Sequence, residues 1–425
     1  MLRSIRWIAL LAAACLSACG GGSSSSSSGS SSSSSSSGAH VFSGGGANVV
    51  SMVVGPGPTP SSSSFNLPTT SVKVCQAGTS NCVTIANVLV DTGSPGLRLL
   101  ASALNGFSLP AQADPSINGN SIVECLPFAD GYTWGPVVTA DVAIGGENAS
   151  AIPINVIDDI GTLEPAAPSS CTSNGTDLGS LIDLGANGVL GVGLYSTDCG
   201  GYCEQAVSLQ TQGFFYYSCS ASSCAATSEP NASQVINPVA AFPKDNNGVI
   251  LQLPAIPIGG VVTDTGYLVF GIGTESNNAL GASTVLTTTP EGFISTMFDG
   301  QTLNSSFLDS GSNGLYFPDS TLPICTGFTD ASEFYCPSPS PSVVLMATNQ
   351  GQNGSTTQVS FQINDPTKLN NTFFAVDVGG PTTGITGLGV SDFFDFGVPF
   401  FYGRTVFTAI QGAAADGTTG PYYAY

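Results

Sequence analysis

Histidine is almost absent from the chain, which holds one, His40, in 425 residues. His40 lies beside a Gly/Ser tract, so the rest of the chain lacks the usual general base. Ser-His-Asp and Cys-His catalysis are therefore excluded there, and His-ligated zinc hydrolysis falls with them. No Gly-rich stretch ends in the Gly-Lys-(Ser/Thr) of a phosphate loop. None of Lys73, Lys244 or Lys368 stands in the Ser-x-x-Lys spacing of a Ser-Lys dyad. Cations are scarce as well, with seven Lys and Arg against 28 Asp and Glu and a net charge of -21. Such a field repels nucleic acid and anionic headgroups and attracts cationic peptides, so no nucleic-acid partner is expected. Carboxylates are the acid-base groups that remain.

The first residues, MLRSIRWIALLAAACLSAC, carry two arginines and an apolar core too short for an ordinary membrane-spanning helix. Their ending, Leu16-Ser17-Ala18-Cys19, resembles the lipobox of bacterial lipoproteins. That resemblance implies a leader over residues 1–18 and lipidation of Cys19; an ordinary signal peptide cut after Ala18 is the alternative. Gly20, where an aspartate could stand, resembles outer-membrane sorting in Gram-negative cells. The expected location is thus the bacterial cell envelope, lipid-anchored at the outer membrane, on its periplasmic or outer face. Residues 19–48 read as a Gly/Ser-rich tether with a reach of roughly 30 Å. Loss of Arg3 and Arg6 with the leader leaves Lys73, Arg98, Lys244, Lys368 and Arg404 against 28 acidic residues.

Of 12 cysteines, Cys15 and Cys19 belong to the leader region. The remainder are even in number and sit in an oxidising compartment, which makes disulfides the expectation. Close spacing suggests staples Cys75/Cys82, Cys199/Cys203, Cys219/Cys224 and Cys325/Cys336, leaving Cys125 with Cys171, although spacing alone leaves the connectivity open. With no Cys-x-x-Cys pair and no second histidine, no metal site is expected.

β-Branched and aromatic runs broken by Gly, Pro, Asn and Ser recur throughout: NVLVD, PVVTADVAI, GVILQL, YLVFGIG, SVVLMAT, TQVSFQI and RTVFTAI. These predict strands of an all-β chain. Helical turns are expected only locally, at Glu204 to Gln210 and Asp319 to Leu322. A Pro/Asn/Ala-rich break over 228–247 marks the boundary between two halves, 49–235 and 236–425.

Each half carries one carboxylate-bearing turn. NVLVDTGSPGLRLLASAL and SSFLDSGSNGLYFPDSTL share the frame Asp-(Thr/Ser)-Gly-Ser-x-Gly-Leu, and Ser102 matches Ser320 as Leu104 matches Leu322. Downstream, GVLGVGLY and FDFGVPFFYG each close an apolar pair with a glycine, Gly191 and Gly397. A third triplet, Asp264-Thr265-Gly266, lies between Thr263 and Tyr267, outside that frame, and reads as a turn.

The doubled order of apolar-Asp-(Thr/Ser)-Gly-Ser, hairpin and apolar-apolar-Gly resembles the pepsin-like aspartic peptidases from roughly Phe65 to Gly412. The resemblance implies a bilobal double-ψ β-barrel architecture with an interlobe cleft that holds a polypeptide substrate or ligand. It implies a catalytic pair, Asp91 and Asp309, sharing one proton and needing no cofactor. Thr92 and Ser310 would bond across the lobes, Ser94 and Ser312 would donate to each carboxylate, and Gly93 and Gly311 would let backbone amides approach. A flap tyrosine is replaced nearest its place by Phe128, with Tyr132 and Trp134 as other candidates. Arg98 stands where that family has a tryptophan, a cation near the cleft. The expected function is a membrane-anchored, monomeric aspartic endopeptidase; the alternative is an inactive pepsin-like lipoprotein that binds peptides or acts as a scaffold. Lipobox, serine tether and GVPFFYGRTVFTAI together also resemble a family of uncharacterised bacterial lipoproteins, which carries no activity over.

Overall fold

The β-branched runs become strands in the computed structural model, which describes residues 45–58, 65–129, 131–326, 333–382 and 392–425. The leader, Cys19, most of the tether and His40 lie outside the described residues. All seven runs named above lie largely within strands, and helices among the described residues are single turns such as Gly200–Glu204 and Val398–Phe401. No described helix is long and apolar enough to cross a membrane. The chain is all-β, with barrel-like sheets.

One sheet of 16 strands runs through both halves, and a second of seven belongs to the second half. The strand Val49–Gly55 joins the halves. It pairs antiparallel with Leu67–Gln76 on one side and with Asp264–Phe270 on the other, Val49 opposite Val269. Asp264-Thr265-Gly266 is therefore the start of a strand and not a turn. Gly266 is needed for packing, since a Cβ there would lie 2.2 Å from the Gln252 carbonyl oxygen. The boundary expected at 235/236 falls between two short turns, Asn231–Ser233 and Pro238–Ala241.

The duplication is visible in strand order. Cys82–Asp91 runs parallel to Gly188–Val192, which pairs antiparallel with Pro95–Leu100. Gln301–Leu308 runs parallel to Asp395–Phe396, which pairs antiparallel with Leu315–Tyr316. In both copies the apolar-Gly strand sits between the strand entering the aspartate turn and the strand leaving it. An apolar core continues from Val54 and Val90 to Phe394 and Tyr423, so the two copies share one buried interior.

Five disulfides close loops, Cys75–Cys82, Cys125–Cys171, Cys199–Cys203, Cys219–Cys224 and Cys325–Cys336. These are the expected pairs. Glu204 to Gln210 holds the end of one helical turn and a 3-10 turn at Val207–Leu209. Asp319 to Leu322 is not helical: the Asp319 carboxylate accepts the Thr321 and Leu322 amides, at 2.7 and 3.2 Å, and makes an Asx turn instead.

Candidate active site

Val88, Leu89 and Val90, all fully buried, carry the strand Cys82–Asp91 into the interior and end it at Asp91. The chain then reverses through Thr92-Gly93-Ser94. The Gly93 amide donates to Asp91 Oδ1 at 2.7 Å, and the Ser94 hydroxyl donates to Asp91 Oδ2. At the second copy the Gly311 amide donates to Asp309 Oδ1 at 2.8 Å and the Ser312 hydroxyl to Asp309 Oδ2 at 3.0 Å. One residue pattern thus gives each carboxyl the same two donors.

The two turns meet. The Thr92 amide donates to Ser310 Oγ at 3.1 Å and the Ser310 amide to Thr92 Oγ1 at 2.9 Å. Each hydroxyl also donates across, Thr92 to the Leu308 carbonyl at 3.1 Å and Ser310 to the Val90 carbonyl at 2.8 Å. Glycine is required above this lattice. A Cβ on Gly93 would lie 2.5 Å from Asp309 Cγ, and one on Gly311 2.7 Å from Asp91 Oδ1. The carboxyl groups of Asp91 and Asp309 consequently come within hydrogen-bonding reach of each other.

Both aspartates are 0% exposed. Burial pushes the Asp91 carboxyl above the usual carboxylate range, against the pull of its hydrogen bonds with Asp309 and Ser94. Burial pushes Asp309 well above that range, and the charges of Asp91 and Asp395 add to the effect. Two buried carboxyls within hydrogen-bonding reach of each other cannot both ionise cheaply. Tyr423, buried nearby, has its phenol raised by burial first and then by Tyr195, Asp309 and Asp395.

Gly191 and Gly397 stand where backbones cross. A Cβ on Gly191 would lie 2.7 Å from the Ser94 carbonyl oxygen, and one on Gly397 2.1 Å from that of Gly314. Both positions exclude a side chain.

The three flap candidates lie on the hairpin formed by Ser121–Pro127 and Gly131–Ile144. Phe128 clusters with Leu67, Leu100, Leu89 and Val189, the last two standing two residues before Asp91 and Gly191. Tyr132 and Trp134 pack with Tyr217 and the Cys125–Cys171 disulfide, and the Trp134 indole donates to the Pro165 carbonyl at 3.0 Å. The hairpin tip reaches the second half through Ala129, which clusters with Phe307, Tyr316 and Phe393.

Arg98 is not a cation lining a cleft. It is 0% exposed and makes a bidentate pair with Glu124, at 2.6 and 3.0 Å, with Asp198 3.6 Å away. The Tyr216 hydroxyl donates to Asp198 at 2.7 Å. Burial followed by the charge of Glu124 pushes Asp198 well above its usual range. This is a satisfied interior network.

Sequence reasoning missed Ala129, Phe307, Tyr316, Phe393, Asp395 and Tyr423. The available signal was the acid in FDFG, a charge inside an otherwise apolar run. A surface cavity of about 510 Å³, bordered by Val53, Thr70 and Thr263, contains no residue of the dyad among its lining.

A family model described as "Protein of unknown function (DUF3443)" matches residues 44–425, and the chain belongs to that family. No curated protein matches it.

Proposed function

We propose that this family member is an aspartic endopeptidase in which Asp91 and Asp309 share one proton and activate water against a peptide bond. The observation that carries the reading is the reciprocal Thr92/Ser310 grip, which sets two carboxyls with identical donor sets against each other. The ionised member takes a proton from water as its oxygen attacks the scissile carbonyl carbon. The protonated member hydrogen-bonds the carbonyl oxygen and stabilises the tetrahedral intermediate. Collapse then breaks the C–N bond, with a proton passing to the leaving amine. No cofactor takes part. The double-ψ, bilobal description belongs to this reading, and the repeated parallel-antiparallel strand order around each aspartate supports it. The lipid anchor at Cys19 and a position in the cell envelope, where a peptidase without a histidine base would act on extended polypeptide, are part of the same proposal.

A second reading, a bilobal lipoprotein that binds without cutting, draws on the complete burial of both aspartates and the contact of Ala129 with the opposite half. Hydrolysis of a denatured protein mixture by the full-length chain between about pH 3 and 7 separates the two. Acid-dependent cutting lost in both Asp91→Asn and Asp309→Asn supports the peptidase. Absence of cutting by a folded, disulfide-bonded sample supports the binder.

A further inference from the structure

Corresponding positions of the duplication differ at one place beside the dyad. Asp91 is in register with Gly191, and Leu308 with Phe396, so Asp309 falls beside Gly397. Two residues before the glycine the first copy has Val189 and the second has Asp395, each 0% exposed. Side chains alternate across a strand. Phe394 and Phe396 stack at 4.0 Å on the core side, which puts Asp395 on the opposite face with Phe393. That face holds the register partners of Asp395, Phe307 and Tyr316, and ends at Asp309.

We propose that Asp395 is a positioning residue of the dyad, a third carboxyl present in only one copy that makes Asp309 the proton-carrying member and leaves the negative charge on Asp91. A group able to carry negative charge beside Asp309 disfavours ionisation of Asp309, and Asp91 has only the side chain of Val189 in the matching position. Burial raises both aspartates, and the contribution of Asp395 falls on Asp309. The other titratable groups facing this pair among the described residues are Asp91, Tyr423 and Tyr316. Behind Tyr423 lies Tyr195, and the Tyr316 hydroxyl donates to Asn313 Oδ1 at 2.6 Å. Phenols stay neutral in mild acid, so the three carboxyls titrate as one unit. In the peptidase reading, on which the mechanistic half of this assignment rests, Asp309 is the acid that bonds the carbonyl and Asp91 the base.

The test is a carboxyl-carbon NMR titration of the full-length chain labelled at aspartate Cγ, with Asp91→Asn and Asp309→Asn variants to assign the signals. Asp309 is expected to titrate after Asp91, and Asp395→Asn should lower its midpoint by about one pH unit. An unchanged midpoint in a folded variant overturns the proposal. If Asp395→Asn does not fold, the mutual coupling still supplies a test, because Asp309→Asn must lower the midpoint of Asp395 itself. Its failure to do so is equally decisive against the proposal. These measurements do not need proteolysis: a shifted midpoint in a chain that cuts nothing would support the carboxyl triad and remove the peptidase reading. In a chain that does cut, the alkaline limb of kcat/KM must move to lower pH in Asp395→Asn, and a limb that stays in place counts against the triad.

Discussion

Thr92 and Ser310 hold each other's backbone, each hydroxyl accepting the other's amide while donating to the carbonyl two residues before it. All four bonds are buried, and they are the direct polar link between the two aspartate turns. Thr92→Val removes the hydroxyl and strands the Ser310 amide and the Leu308 carbonyl. The expected cost is about 1–3 kcal/mol for each buried group left without a partner. Ser310→Ala should cost a similar amount. Because both changes break the same lattice, the double variant should fall short of their sum by roughly 0.5–3 kcal/mol in urea unfolding. Strict additivity would mean that the two hydroxyls act independently.

Gly93 offers a sharper probe of the spacing between the carboxyls. Gly93→Ala sets a methyl 2.5 Å from Asp309 Cγ and Oδ1 and 2.9 Å from its Oδ2. Overpacking of this kind costs about 1–3 kcal/mol, and relief is available by moving Asp309 away from Asp91. The variant should therefore lose the late carboxyl titration of the pair while keeping its far-ultraviolet spectrum. A folded variant with an unaltered carboxyl titration would show that the two groups are not coupled at this distance.

Arg98 tests the interior network and not the chemistry. Arg98→Ala leaves Glu124 and Asp198 buried without their cation, and one-sided loss of a buried pair costs about 3–5 kcal/mol. Arg98→Lys keeps the charge but loses the fork that reaches both Glu124 oxygens, so it should fall between the two. Chemical denaturation measures both. A loss under about 1 kcal/mol for Arg98→Ala would place the pair in wet surroundings.

Strands, disulfide pairs and the repeated turn could be read before any coordinates because each depends on near neighbours. NVLVD and GVILQL carry β-branched periodicity, the close cysteine pairs span short loops, and Asp-x-Gly-Ser supplies its own donors. The misreadings share a cause in distant contacts. Asp264-Thr265-Gly266 has turn chemistry, but its neighbours Val49–Gly55 and Gly248–Leu253 recruit it as a strand. Arg98 looked like a free cation because Glu124 and Asp198 lie far along the chain and become its partners only in the fold. Tyr132 and Trp134 sit on the expected hairpin but pack against Tyr217 and the Cys125–Cys171 disulfide, partners distant along the chain. Asp395 hid in an apolar run, where composition does not tell the core face from the dyad face.

Stability should be greatest in mild acid. Asp377 has its carboxyl pushed up to about 7, by burial first, with Arg404 opposing. Glu229 is likewise pushed up to about 7, by burial and then by the charge of Asp114. Asp91, Asp198 and Asp309 move in the same direction. In the unfolded chain these acids ionise near pH 4, whereas the folded chain holds their protons until higher pH. Between about pH 4 and 7 the folded state thus binds more protons than the unfolded one, and stability falls as pH rises. Asp377 and the buried Glu229 each contribute on the order of 2 kcal/mol to that fall. The melting temperature should accordingly be several degrees higher at about pH 5 than at about pH 8. Asp377→Asn should flatten the profile by stabilising the chain at the alkaline end. A melting temperature that is level or rises over this range would mean that these carboxyls ionise in the folded protein as they do in water.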